Sequence, residues 1–147
     1  MKKEQFKELE NFSYFNDFQP TKGNLRKMKF EVFERLQTLR DSLPQRKNSS
    51  NFLKLLSTNA GAHVKNSEHY KGKAVDVFCP LRNGLTINTF VELALGAGFR
   101  GVGVYLNASG VPSFHLDIRE KYQFWFGSKE KQTDPWTYSE LINFDIE

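Results

Sequence analysis

The stretch Ser67-Glu68-His69-Tyr70-Lys71-Gly72-Lys73-Ala74-Val75-Asp76 constrains this chain more than any other. Gly72 lets the backbone turn through conformations closed to other residues. The apolar run Ala74-Val75-Asp76-Val77-Phe78-Cys79 then reads as a buried strand. A histidine on the loop, His69, and an aspartate on the strand, Asp76, can face each other across that turn. A zinc site needs such convergence, because bonds of about 2 Å tolerate little slack. The third ligand has to come from a distant segment, and His115 in Phe114-His115-Leu116-Asp117-Ile118-Arg119 is the candidate for it.

Ser-x-His-x-x-Gly-x-Ala-x-Asp, then Gly101-Val102-Gly103-Val104-Tyr105, then Phe-His-x-Asp-x-Arg resembles the zinc D-Ala-D-Ala carboxypeptidase family. The resemblance spans roughly residues 25 to 125. That family cuts peptidoglycan stem peptides. It includes D,D-dipeptidases, phage L-alanyl-D-glutamate endopeptidase endolysins and, more distantly, the hedgehog signalling domain. The resemblance implies a Zn2+ ion held by His69, Asp76 and His115. The family commonly carries a substrate-contacting arginine in the loop before the first motif. Here Ser57 to Asn66 contains none; His63 in that loop is a candidate substrate contact or, equally, an exposed histidine with no role.

The 147 residues suffice for one domain with a substantial core and not comfortably for two. A hydrophobic share of 39% with 14 Phe is a globular composition rather than a disordered one. The net charge of +4 suits an anionic polymer such as cell wall, or simply a solvated surface. Basic residues are not interleaved with aromatics as a nucleic-acid platform requires, so no nucleic-acid partner is expected. The single cysteine, Cys79, excludes an intramolecular disulfide and reads as a small core residue. No apolar segment has the pattern of a signal peptide or a membrane span. We therefore expect synthesis in the cytoplasm without membrane insertion, action on the wall after lysis, holin-type release or delivery in a virion, and a monomer.

Residues 1–20 read as an N-terminal arm packed on the body. Asn24 is placed to cap a helix whose stripe is Leu25, Met28, Val32, Leu36, Leu39 and Leu43, ended by Pro44. Phe52 to Leu56 reads as a strand. Arg82-Asn83-Gly84 is a turn. Thr89-x-x-Glu92 has the form of a capping box, with Phe90, Leu93, Ala94 and Ala97 on the buried face of the helix behind it. Gly101–Leu106 and Ser113–Ile118 read as a hairpin around Asn107–Gly110, and Tyr122–Phe126 as an added edge strand. Residues 127–147 read as a tail docking on the body. The expected class is α+β: a single domain with a small antiparallel sheet flanked by helices and a zinc site on the sheet face.

His115, Asp117 and Arg119 alternate along one strand, so they share a face. Two histidines and one carboxylate, with water in the fourth position, make a catalytic rather than a structural zinc site. The resemblance implies an acid or histidine two or three residues before the late ligand, but Ser113 and Pro112 stand there. Some members of that family carry instead the His-x-Asp form seen here, and the resemblance makes Asp117 the candidate general base. Its alternative role is to support His115 or to pair with Arg119. Arg119 is the candidate for holding a substrate carboxylate or carbonyl. Glu68, next to a ligand, is a further candidate. The functional expectation is a zinc peptidase acting on peptidoglycan stem peptides, as carboxypeptidase, endopeptidase or endolysin. The alternatives are a zinc-binding module of the same fold without peptidase activity, serving as a phage structural or wall-binding protein, and a cytoplasmic D,D-dipeptidase.

Overall fold

Helix α1 (Phe30–Ser42) forms because Val32, Phe33, Leu36 and Leu39 recur at helical spacing and are fully buried. The computed structural model describes residues 27–57, 67–69, 71–106 and 112–128, together with 2, 4 and 5. The helix begins at Phe30 rather than Leu25, and Lys29 at its N-cap makes no side-chain cap. Asn24 and Leu25 lie outside the described residues. What fixes the helix start is tertiary: the Lys29 N–H donates to the Gly72 carbonyl at 2.8 Å. Gly72 has φ +70°, and a Cβ there would overlap the Lys27 carbonyl. The glycine between the two motif residues therefore joins the loop to the entrance of α1. At the other end Leu43 takes the extended conformation preferred before proline, here Pro44.

Strand β1 (Lys54–Ser57) starts two residues later than its pattern suggested, while β2 (Ala74–Phe78) falls where the apolar run put it. Helix α2 (Ile87–Gly96) is capped by Thr86, whose hydroxyl accepts from the Thr89 N–H at 3.1 Å. The capping box at Thr89 is thus displaced by one turn: Thr89 is the donor inside the helix, not its cap. Phe90, Val91 and Ala94 are the buried residues of α2, and Leu93 packs at the core's edge. The sheet is completed by β3 (Gly101–Leu106), β4 (Pro112–Asp117) and β5 (Gln123–Ser128), in the order β1-β2-β4-β3-β5.

All neighbours pair antiparallel except β3 and β5, which are parallel. Strand β4 has both edges taken, by β2 and β3. The short return at residues 118–122 reverses the chain, so β5 runs alongside β3 on its open edge. The architecture is α+β, with two helices and a mostly antiparallel five-stranded sheet among the described residues.

The sheet's two faces differ in kind. Val75, Val77, Val102, Val104, Phe114, Leu116 and Phe124 point toward the helices and join one core cluster, with Phe90 stacked on Phe114 at 4.0 Å. The alternate residues, Asp76, Gly101, Gly103, Tyr105, His115, Asp117 and Trp125, belong to the opposite face. No described helix is long and apolar enough to cross a membrane. Cys79 is buried and unbridged, and burial pushes its thiol pKa up. The N-terminal arm beyond residues 2, 4 and 5, the turn Asn107–Gly110 and the tail from residue 129 lie outside the described residues. Gly127 and Ser128, assigned by sequence to that tail, belong to β5.

Candidate metal centre

Asp76 and His115 are direct partners in the β2–β4 ladder, so their side chains rise side by side from the polar face. His69 reaches the same point from the turn that precedes β2, where the Gly72 N–H donates to the His69 carbonyl at 3.0 Å. The ligand atoms form a tight triangle. His69 Nε2 lies 3.1 Å from His115 Nδ1 and 3.2 Å from Asp76 Oδ1, and His115 Nδ1 lies 3.4 Å from Asp76 Oδ1. Bonds of about 2.0–2.1 Å to a tetrahedral ion give ligand–ligand edges of about 3.3 Å. The observed edges match that figure. This buried cluster could hold a metal ion.

The second nitrogen of His115 decides what the first can do. His115 Nε2 and Asp117 Oδ2 are 2.6 Å apart, and the carboxylate can only accept there. In the neutral ring the proton therefore belongs on Nε2, which leaves the Nδ1 lone pair directed at His69 and Asp76. A carboxylate behind a ligating histidine is the arrangement that orients metal-binding imidazoles. The His69 side chain is 3% exposed, that of His115 7% and that of Asp76 27%. The cluster is therefore closed on the imidazole side and open to solvent past Asp76.

Asp117 is fully buried, and its two oxygens are engaged. Arg119 Nε donates to both, at 2.8 and 3.0 Å, Arg119 Nη2 to Oδ2 at 2.5 Å, and the Arg119 backbone N–H to Oδ1 at 3.1 Å. Arg119 Nη1 donates to Gln123 Oε1 at 2.6 Å, and the guanidinium sits 5.3 Å from the centre of the Trp125 ring. The structure thus places Asp117 beneath His115 and commits Arg119 to Asp117 and Gln123. Glu68 pairs with Lys71 at 3.2 Å. His63 lies outside the described residues.

Electrostatics follow this geometry. Burial alone would raise the Asp76 carboxyl, but hydrogen bonds and charge from His115 and His69 outweigh it and hold the group well below the usual carboxylate range. Asp117 behaves likewise: burial is outweighed by His115 and Arg119. Burial opposes charging of His115, yet its contacts with Asp117 and Asp76 raise its pKa. Two carboxylates surrounding two imidazoles make a pocket that favours a cation, whether a proton or a metal.

Three residues of the site face were not singled out by sequence. Trp125 on β5 packs against His115 with ring centroids 4.8 Å apart and donates from Nε1 to the Tyr105 hydroxyl at 2.6 Å. Burial pushes the Tyr105 phenol up to about 12. Gln123 holds Arg119 from the same strand. The signal for Trp125 and Tyr105 is the alternation Gly101-Val102-Gly103-Val104-Tyr105; Gln123 has none. A Cβ at Gly101 would overlap the Asp117 carboxylate, and one at Gly103 the Trp125 indole. Glycines on the polar face make room for the side chains of neighbouring strands.

Compared with protein-family models, curated proteins and solved structures, the chain matches none. The chemistry of the site has to follow from its own atoms.

Proposed function

We propose that this domain is a zinc-dependent peptidase that hydrolyses bonds in peptidoglycan stem peptides. One observation carries the proposal: two imidazole nitrogens and one carboxylate oxygen at tetrahedral edge spacing, with a carboxylate on the far nitrogen of one imidazole and one side open. Two histidines, one carboxylate and an open position suit catalytic rather than structural zinc. The substrate class is taken from the sequence resemblance.

Zinc at this site would polarise the scissile carbonyl and acidify a water molecule. The chain's residues divide the remaining work. His69, Asp76 and His115 hold the ion. Asp117 keeps the His115 proton on Nε2, and Arg119 balances the charge of Asp117. In hydrolysis the water oxygen bonds to the carbonyl carbon, the carbon–nitrogen bond breaks, and a water proton ends on the leaving amine. In this scheme Asp117 acts through His115, because both its oxygens are already used, and Arg119 acts through Asp117, which takes its Nε and Nη2.

That same engagement of Asp117 favours one second reading, a zinc-binding module of this fold without turnover. Incubating the zinc-loaded chain with purified peptidoglycan, with and without a chelator, tests both. Release of new amino termini that stops on chelation supports the peptidase. Bound zinc with no release supports the silent module, and cleavage of free D-alanyl-D-alanine alone supports a D,D-dipeptidase.

A further inference from the structure

We propose that Tyr105 donates the hydrogen bond that stabilises the developing oxyanion of the substrate, a role that rests on the peptidase reading. Peptide hydrolysis places negative charge on the carbonyl oxygen, and a fixed donor in a water-poor site stabilises it. Two other donors lie near: Arg119 directs Nε and one N–H of Nη2 at Asp117 and one N–H of Nη1 at Gln123, and keeps one further N–H on each of Nη1 and Nη2. Trp125 spends its indole N–H on the Tyr105 oxygen.

The Tyr105 oxygen accepts from Trp125 at 2.6 Å, so its own hydrogen must point away from the indole. Among the described residues no group accepts that hydrogen. Its position is set by the sheet. Trp125 Nε1 stands over Gly103, where a Cβ would overlap it. Gly103 is the direct β3 partner of the ligand His115 on one side and of Trp125 on the other. The phenol oxygen bound to Nε1 is therefore held beside the row that carries His115 and Asp76. Tyr105 is half-buried. An ordinary phenol is protonated at neutral pH, so the donor is present when peptide binds.

The test compares wild type, Tyr105→Phe and the variant with para-methylphenylalanine at 105, which keeps the length of tyrosine without its donor. Zinc content, turnover and affinity for a phosphinate analogue of the bond that the wild type cuts are measured on the full zinc-loaded chain. Loss of one oxyanion donor lowers turnover by about 10²–10³-fold. We expect that loss in both variants, with unchanged zinc content. Phosphinate affinity should fall about 10²-fold, while affinity for uncleaved peptide changes much less, since only the tetrahedral state develops the charge. Wild-type turnover or phosphinate affinity in either variant overturns the role of Tyr105 and leaves the peptidase intact. Loss of zinc or of the folded circular-dichroism spectrum in both variants makes the phenol structural and also overturns it. Absence of turnover by the wild type overturns the peptidase reading and this role together.

Discussion

Asp117→Asn separates an orienting carboxylate from a catalytic one. The amide keeps the shape and offers one acceptor oxygen where the carboxylate had two. His115 Nε2 and three Arg119 nitrogens now use both oxygens, so at least one donor is left facing the amide N–H₂. If His115 changes tautomer to accept from the amide, its Nδ1 gains a proton and no longer offers a lone pair to the metal. Disturbing such a support costs about 10–100-fold in metal affinity, or about 1.4–2.7 kcal/mol. Breaking a buried ion pair costs about 3–5 kcal/mol. The Arg119 side chain is 20% exposed, so the lower end, about 3 kcal/mol, applies here. At about 2–4 °C per kcal/mol, the metal-free domain should melt about 6–12 °C lower. Zinc affinity is read by competition with a chromophoric chelator, and melting by circular dichroism. An Asp117→Asn protein with wild-type zinc affinity and wild-type melting, but with turnover lost, would refute this reasoning and return Asp117 to the role of general base.

Other outcomes follow from the same geometry. His115→Ala should abolish turnover and weaken zinc binding while the far-ultraviolet spectrum stays folded, because the core between helices and sheet excludes the site; global unfolding would make the zinc structural. Gly103→Ala should displace the Trp125 indole and destabilise the domain by about 1–3 kcal/mol, the usual cost of overpacking, measured in urea. Phe114→Ala should cost about 3–5 kcal/mol, since its ring is fully buried against Phe90. In the chelated domain, Asp76 and Asp117 have folded pKa values below their unfolded values. Their stabilisation is full above about pH 5 and is lost as the pH falls through the unfolded and then the folded pKa. His115 is raised, so its contribution is full below about pH 6.5 and fades as the pH rises through its folded value. The chelated domain should thus lose melting temperature on the acid side, and Asp76→Asn should flatten that limb.

Much of the site was legible because it depends on spacing. A strand alternates with period two, so His115 and Asp117 had to share a face, and the turn at Gly72 had to bring His69 near Asp76. Which way the Asp117 carboxylate leans was not legible. Period two gives the face, but only the packed structure shows His115 Nε2 and Arg119 claiming both oxygens. Trp125 and Tyr105 were missed for a related reason: Trp125 reaches His115 across β3 and holds the Tyr105 hydroxyl, and a sequence shows only the glycine that clears its path. Helix α1 was expected to start too early because the Leu25 and Met28 steps continue the stripe, whereas the Lys29 bond to the Gly72 carbonyl is a tertiary contact. Thr86 and Thr89 are equally good caps by composition; the backbone chose Thr86. The parallel pairing of β5 follows from strand order, which local pattern does not encode.

The central claim is that His69, Asp76 and His115 together bind one catalytic zinc ion. Crystals of the chain grown with zinc, with anomalous diffraction recorded on both sides of the zinc absorption edge, test it most directly. The account predicts one strong anomalous peak per chain, about 2.0–2.1 Å from His69 Nε2, His115 Nδ1 and an Asp76 oxygen, with a fourth non-protein ligand on the open side. No peak between these three side chains in crystals saturated with zinc, or a peak held by four protein ligands, would contradict it.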